Sequence, residues 1–588
     1  MGNPGIPGGQ IMRKKELFQK LSDQAGYDTV NLEGAPAFKQ STEDSFLQTL
    51  MTNTVEGSFY MTQHKLAEQA LEIHQKAFAE LSLEDYAKAL KYARIKGYMR
   101  LQPILGLVQL STKHFGDLPF GFTKLFIDIC RTPKDVRSFI DLCQSGAVPG
   151  RTGLSKLKGT IIKWLKHTLT EYWAIKYKND LEVIIRMVHP SPEDFLPDKS
   201  TWAIIQWIIN ESFRWEGNMQ GGWRSDTLIP WGYVFDEASQ LHTYDMLKSG
   251  PMSLTEAVTK GRLPYEAVVG ITSPTREEWL ALLKQMPIFA MTRHLATMER
   301  HEVLELPEAA AHICEKLTDP EIILKSMMFP HHFFQAYRML GAPAEYSLYR
   351  TRKPDEIYSY WGQTAGTNPK EQVRQALLKA TQLAVSNIPS IPGDTLVAID
   401  TSGSMHARLN PKSSLTFLEM AALFGGALFK QTTGRSVCWG FDTQLFPFMF
   451  NPTDDLFVIM NKIMQQGGGG TCLELPFAQA LQDKVKFDSF IGITDAEEWS
   501  SGNVYRGWGY SAHTYRGIKN VLRDYRKQVN PNIKAIFLRL DPYDHIPTRD
   551  SPLDFYVYGW SDVVPQLCAT LAGEGFGSQW AQVREISL

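Results

Sequence analysis

The spacing of apolar residues changes once along this chain, near residue 390, and that change limits what the chain can fold into. Before it, apolar residues recur three and four apart through Leu66–Leu81, Tyr86–Gln102, Leu154–Trp173, Glu277–Met298 and Pro320–Met339. This is the period of an amphipathic helix, and strand signals are almost absent. Helices in succession with short polar breaks make a bundle or a helical-repeat solenoid. The stretch 215–250, which opens WEGNMQGGW, breaks the pattern with Gly, Trp and Pro and reads as an insertion. The two prolines of NIPSIPG (387–393) close the helical part.

After that point the pattern alternates. LVAI (396–399), SVCWGF (436–441), FPFMF (446–450), FIGIT (490–494), IKAIFLRL (533–540) and FYVYGW (555–560) read as strands. Helical stretches lie between them at 413–431, 456–465, 473–482 and 514–528, with a last one at 563–571. Such alternation predicts a mostly parallel sheet with helices on both faces, which binds ligands at the carboxyl ends of its strands. With 588 residues the chain exceeds what one core organises, so two or more domains are expected.

Composition removes several classes. The formal net charge is −2, so any nucleic-acid surface must be a local patch. No apolar run reaches the roughly 18 residues that a membrane helix needs. The Gly- and Pro-rich opening, MGNPGIPGGQ, reads as a flexible tail over 1–20 and not as a signal peptide. Cys130, Cys143, Cys314, Cys438, Cys472 and Cys568 show no zinc or redox spacing, which points to reduced thiols in a cytoplasmic protein.

The sharpest chemical signal is LVAIDTSGSM. It places Asp400, Ser402 and Ser404 just past a strand, on a loop where three oxygen side chains converge. GGGGTC offers the hydroxyl of Thr471, and FIGITD brings Asp495 to the same sheet edge. Hard oxygen ligands without Cys or His suit a divalent ion, magnesium or manganese above all. Two carboxylates offset its charge, and one coordination position stays open. A blander reading makes the serines helix caps and Asp495 a turn residue. The order of the three elements favours the metal. This constellation resembles the metal-ion-dependent adhesion site of von Willebrand factor A domains over about 390–575, with Asp400, Ser402 and Ser404 as the first motif, Thr471 as the second and Asp495 as the third.

A second signal is cationic. Lys156, Lys158, Lys163, Lys166, His167, Lys176, Lys178, Arg186 and His189 crowd one stretch, opposed only by Glu171, Asp180 and Glu182. On one helix, Lys156, Lys163, Lys166 and His167 fall within an arc of about 100°. Leu157, Ile161, Trp164 and Leu165 fall on a separate apolar arc. One face can pack while the other meets phosphates. A solvated amphipathic face is the competing reading. Lys158 sits off the stripe.

EEWLALLKQMPIFAMTRHLATM (277–298) resembles the TROVE module of the Ro ribonucleoprotein family through Trp279, Leu282, Leu283, Met286, Pro287, Ala290, Arg293, Leu295 and Met298. GSFYM (57–61), ICEKLTD (313–319), ILKSMMFPHHFFQAY (323–337) and VLRDYRK (521–527) extend the resemblance. It implies a mainly α helical-repeat, HEAT-like ring over 21–388, closed by an α/β, Rossmann-like von Willebrand factor A domain over 389–588. By the same resemblance, LSKLKGTI carries over Lys156 and Lys158, AIKYK carries over Lys176 and Lys178, and RMVHP carries over Arg186 and His189 as RNA contacts. The implied function is a monomeric ring scaffold for RNA quality control. It would bind Y-like small RNA on its basic outer face and single-stranded RNA ends in its central hole, with a 3′ exonuclease partner by analogy. The 215–250 insertion and the altered basic segment suggest a bacterial or phage version.

Two other classes compete. A protein-interaction scaffold would use the metal site to grip an acidic partner, without RNA. A metal-dependent hydrolase would use Asp495, but the sequence places no general base. There is no nucleophile elbow, HEVLE (301–305) lacks the second His of a zinc motif, and adjacent His331 and His332 point apart on a helix. No catalytic residue is assigned.

Overall fold

A computed structural model describes residues 29–30, 36–39, 41–52, 63–149, 154–215, 239–259, 263–269, 274–340, 368–409, 415–495, 503–504, 513–514, 516–540, 545–548, 551, 553–559, 563–574 and 579–588. The expected tail, the GSFYM segment and most of the 215–250 insertion lie outside them. The described residues gather into two compact units. One is drawn from Met1–Glu80, Lys316–Thr367 and Arg374–Glu585, the other from Leu81–Glu315, Asn368–Val373 and Ile586–Leu588.

The second unit is helical. Helices Leu83–Ile95, Phe122–Ile129 and Lys158–Thr168 pack in series as one layer. Leu101–Leu110, Pro133–Gln144 and Lys178–Val188 pack in series as another. Two stacked layers of this kind make a helical repeat, and so decide between the bundle and the solenoid. Local chemistry starts each turn. Ser82 accepts the N–H of Asp85, and Thr132 forms a capping box with Asp135. Asp135 is fully buried, and it also takes Arg94 at 3.0 Å and Arg100 at 2.7 Å.

Several expected helices are each two helices. Leu154–Trp173 splits into a 3-10 turn at Ser155–Leu157, a helix Lys158–Thr168 and a helix from Glu171. Leu169 is extended there, and Thr170 caps the next helix. Tyr86–Gln102 breaks after Ile95, Glu277–Met298 breaks at Met286–Pro287, and Pro320–Met339 breaks at Met327, which has φ 55°. Periodicity persists across such breaks because both halves bury apolar residues. Pro287 and Pro330 mark two of them, since proline suits a helix start and not its interior.

The first unit holds a six-stranded sheet. Its strands are β1 (Thr395–Asp400), β2 (Ser436–Phe441), β3 (Leu445–Phe448), β4 (Ser489–Thr494), β5 (Lys534–Arg539) and β6 (Asp554–Tyr558). Their spatial order is β6-β5-β4-β1-β2-β3, all parallel except the β3 edge, where Pro447 costs no central ladder bond. Side chains alternate across β1. Leu396 and Ala398 join a core with Phe441, Phe490, Phe537 and the helix Ile518–Gln528. Ile399 faces the other way, onto helix Phe417–Gln431, and a Cβ on Gly425 would stand 2.4 Å from Ile399 Cδ1. Gly425 is what lets that helix lie against the sheet.

Helices that precede the sheet in sequence join the same unit. Phe334 meets Phe457 at 5.8 Å between ring centroids, and His331 meets Phe424 edge-on at 5.8 Å. The helix Pro330–Met339 therefore packs on the α/β part. Pro36–Lys39 is a strand, which the sequence reading missed. It pairs antiparallel with His545–Ile546 and with Thr29–Val30. No helix of the described residues is long and apolar enough to cross a membrane.

Candidate metal centre and cationic surface

Both strand-end carboxylates lie at one edge of the sheet. Asp400 ends β1, and Asp495 follows β4, the neighbour of β1. The strand between them and the opposite edge, β2, is followed by Asp442. The chain has folded to bury all of this. Asp400, Ser402, Ser404, Thr471 and Asp495 are each at most 7 % exposed. Asp400 Oδ1 accepts the N–H of Ser402 at 2.9 Å, and Oδ2 accepts the Thr494 hydroxyl at 2.6 Å. The hydroxyls of Ser402 and Ser404 stand 3.2 Å apart.

The glycine run brings Thr471 in. Gly468 donates its N–H to Thr401 O at 2.8 Å, and Gly403 donates to Gly469 O at 2.9 Å. The two loops are thus zipped backbone to backbone. A side chain at Gly467, with φ 92°, would put its Cβ 2.2 Å from Thr401 O. Asp442, which the sequence did not single out, is buried and structural here. It accepts N–H groups of Gln444 at 2.6 Å and Gly469 at 3.0 Å, and so holds the glycine loop in place. Burial pushes its carboxyl above the usual range.

The donor set fits a hard divalent ion. Burial, and then the neighbouring charge of Asp495, push the Asp400 carboxyl up to about 8. A cation between two such groups removes that penalty. Thr471 is buried, and its hydroxyl makes no hydrogen bond with a described residue and is not sealed from solvent. Among those residues no three His, Cys, Asp or Glu side chains cluster, so an ion here would rest on carboxylates and hydroxyls together.

The cationic stretch divides. Lys156, Lys158, Lys163, Lys166, His167, Arg186 and His189 are exposed, while Leu157, Ile161, Trp164 and Leu165 are buried. Lys156 precedes the helix, in the 3-10 turn, so a single helical wheel does not hold it. Lys163, Lys166 and His167 stand together on the helix. Buried Ile162 lies between them and Lys158 on the wheel.

Lys176 is engaged within the protein. Its ammonium donates to Tyr172 Oη at 2.7 Å and to Glu266 at 3.3 Å, and lies 5.1 to 5.9 Å from the rings of Tyr172, Tyr177 and Trp173. Arg186 pairs with Glu182 at 2.5 Å. Lys178 is half-buried, and His189 caps its helix in the left-handed region at φ 47°.

Comparison with known proteins agrees with both halves of this description. The family model for the Ro60 vWA domain matches residues 394–539, and the TROVE domain model matches 250–354. The chain is 24% identical over 489 residues to RNA-binding protein RO60 of Caenorhabditis elegans, covering 75% of this chain and 71% of that protein. It is 27% identical over 278 residues to RNA-binding protein RO60 of Deinococcus radiodurans, covering 44% of this chain and 47% of that protein. The crystal structure of the Deinococcus radiodurans RO (RSR) protein shares the fold, with a TM-score of 0.59 at 18% identity over 91% of this chain and 100% of that one. The helical part thus carries a TROVE match and the sheet that follows it a Ro60-type von Willebrand factor A match, and the chain is similar to RO60 proteins over three quarters of its length.

Proposed function

We propose that this chain is the RNA-binding scaffold of a Ro-type ribonucleoprotein and not an enzyme. The observation that carries the reading is the Lys158–Thr168 helix. Its buried face is satisfied by packing, and it leaves Lys163, Lys166 and His167 together in solvent. Cations held this way cost the fold nothing and meet a phosphate backbone without rearrangement. Similarity to two relatives named RNA-binding proteins supports the same reading.

In this proposal the helical part, 21–388, and the von Willebrand domain, 389–588, form a monomeric ring. A Y-like structured RNA lies on the cationic surface, and single-stranded ends of misfolded or decaying RNA enter the central hole. A 3′ exonuclease is a partner by analogy. Asp400, Ser402, Ser404, Thr471 and Asp495 would hold magnesium or manganese, which supplies charge neutralisation and an open position for an acidic ligand. Six cysteines outside any disulfide accord with a cytoplasmic setting.

The test is direct. The ultraviolet absorbance ratio of purified protein reports bound nucleic acid, and sequencing identifies it. Co-purifying small structured RNA, rebound in filter assays with steep salt dependence, is expected. A protein free of RNA that also binds none in vitro overturns the reading. In that event, capture of an acidic protein ligand only with magnesium present would favour the interaction-scaffold alternative.

A further inference from the structure

Within the first unit, residues 375–382 of helix Pro369–Leu383 and residues 455–461 at helix Leu456–Met464 enclose a cleft of about 340 Å³. That is within the range of small-ligand sites, about 300 to 1,000 Å³. The cleft is separate from the metal-site residues and from the lysine stretch, neither of which lines it.

Its lining is specific in chemistry. Leu378 and Phe457 give it apolar surface, and Gln375, Gln382 and Asn461 bring three carboxamides. Asn461 is 7 % exposed, yet its side chain makes no hydrogen bond with a described residue. Neither its nitrogen nor its oxygen is sealed from solvent, so both are open to what enters the cleft that Asn461 lines. Lys379 lines the same space, exposed, and has no ion pair or hydrogen bond among the described residues. It stands four residues after Gln375 and three before Gln382, on the same helix face. Asp455 holds the rim by capping the N–H of Phe457 at 2.8 Å. A carboxylate there disfavours polyphosphates and suits a ligand with one phosphate and hydrogen-bond donors of its own.

We infer that this cleft takes one unpaired nucleotide. The base lies against the apolar surface, Asn461 reads its edge with paired donor and acceptor, and Lys379 meets the phosphate. The ligand is a nucleoside monophosphate unit, either free or at an unpaired position of RNA. The RNA source rests on the function proposed above.

The experiment uses the full chain with Lys379→Ala and Asn461→Leu, and with Asn461→Gln as the conservative control. Lys379 is exposed, so its variant keeps the fold even where Asn461→Leu does not. Fluorescence anisotropy is read with a labelled hairpin carrying a short single-stranded overhang and with the same hairpin made blunt. Loss of about tenfold in affinity for the overhang form, with the blunt form unchanged, is expected for Lys379→Ala and Asn461→Leu, and less for Asn461→Gln. Adenosine and guanosine monophosphate are titrated separately. Competition only at millimolar concentration assigns the site to RNA, and micromolar binding lost in the variants assigns it to a free nucleotide. If wild type binds the overhang form and both variants bind it equally, the inference fails while the proposed function stands. If wild type binds no RNA, the proposed function fails, and the monophosphate titration decides the cleft alone: no binding overturns it.

Discussion

The Thr494 hydroxyl donates a 2.6 Å hydrogen bond to Asp400 Oδ2, joining the ends of two adjacent strands beside the candidate metal loop. That bond and the Ser402 N–H favour the charged carboxylate, yet burial and Asp495 outweigh them and raise the carboxyl to about 8. An unfolded Asp titrates at about 3.9. A carboxyl raised in the folded state contributes stability that is fully present below the unfolded value and is lost as pH rises through the folded one. The metal-free protein is therefore expected to lose thermal stability between about pH 4 and 8 from this group. Magnesium should raise Tm more at pH 8 than at pH 6. Calorimetric scans in EDTA and in magnesium check it, and an equal magnesium effect at both values would count against the site.

The same repulsion predicts an unusual variant. Asp400→Asn removes one of two buried carboxylates and keeps an acceptor for Ser402 N–H. In EDTA its Tm should exceed that of wild type by a few degrees, an effect of about 1 kcal/mol or more. Isothermal titration should find no magnesium or manganese binding. A variant that still binds the ion with unchanged affinity removes Asp400 from the ligand set.

Away from the sheet, Asp135 balances Arg94 and Arg100 inside the helical unit. Asp135→Ala leaves Arg94 buried without its counter-charge and also removes the capping partner of Thr132. The expected cost is about 3 to 5 kcal/mol in urea unfolding. Arg100→Ala should cost much less, because its side chain is 46% exposed and Arg94 stays paired.

How far these features could be read from sequence depends on how local their causes are. β1 and β4 were legible because apolar runs end abruptly in Asp400 and Asp495. The glycine run before Thr471 signalled a close backbone approach, now visible as Gly468 N–H on Thr401 O. Helix ends were less legible. Leu169 and Met286 are apolar residues in a helical pattern, and only the cap at Thr170 and the proline at 287 betray the breaks. The strand Pro36–Lys39 had no local signal, since its partner His545–Ile546 lies at the far end of the chain. The role of Asp442 was hidden for the same reason: its N–H donors come from Gln444 and from Gly469 across the loop. For the lysines, composition gave the cluster but not its internal pairings, which depend on Glu266, far away in sequence.

Those pairings separate the cations that can meet RNA from those that hold the fold. Each lost phosphate contact lowers the slope of log affinity against log salt by about 0.7 to 0.9. Replacing Lys156, Lys163 and Lys166 with Ala should weaken structured-RNA binding and flatten its salt dependence by up to about 2 to 3 units. The fold should survive, since Leu157, Ile161, Trp164 and Leu165 stay buried. Lys176→Ala should behave differently. Its ammonium already serves Tyr172 and Glu266, so its loss lowers stability by about 1 kcal/mol and leaves the salt slope nearly unchanged. Asp400→Asn should leave RNA affinity as it is, because the metal-site residues belong to the other compact unit. Filter-binding titrations at several salt concentrations, paired with thermal melts, read both quantities. Equal RNA affinity for wild type and the triple-lysine variant would remove this stretch from the RNA surface. A steep loss of salt dependence in Lys176→Ala would show instead that the lysine leaves Glu266 when RNA binds.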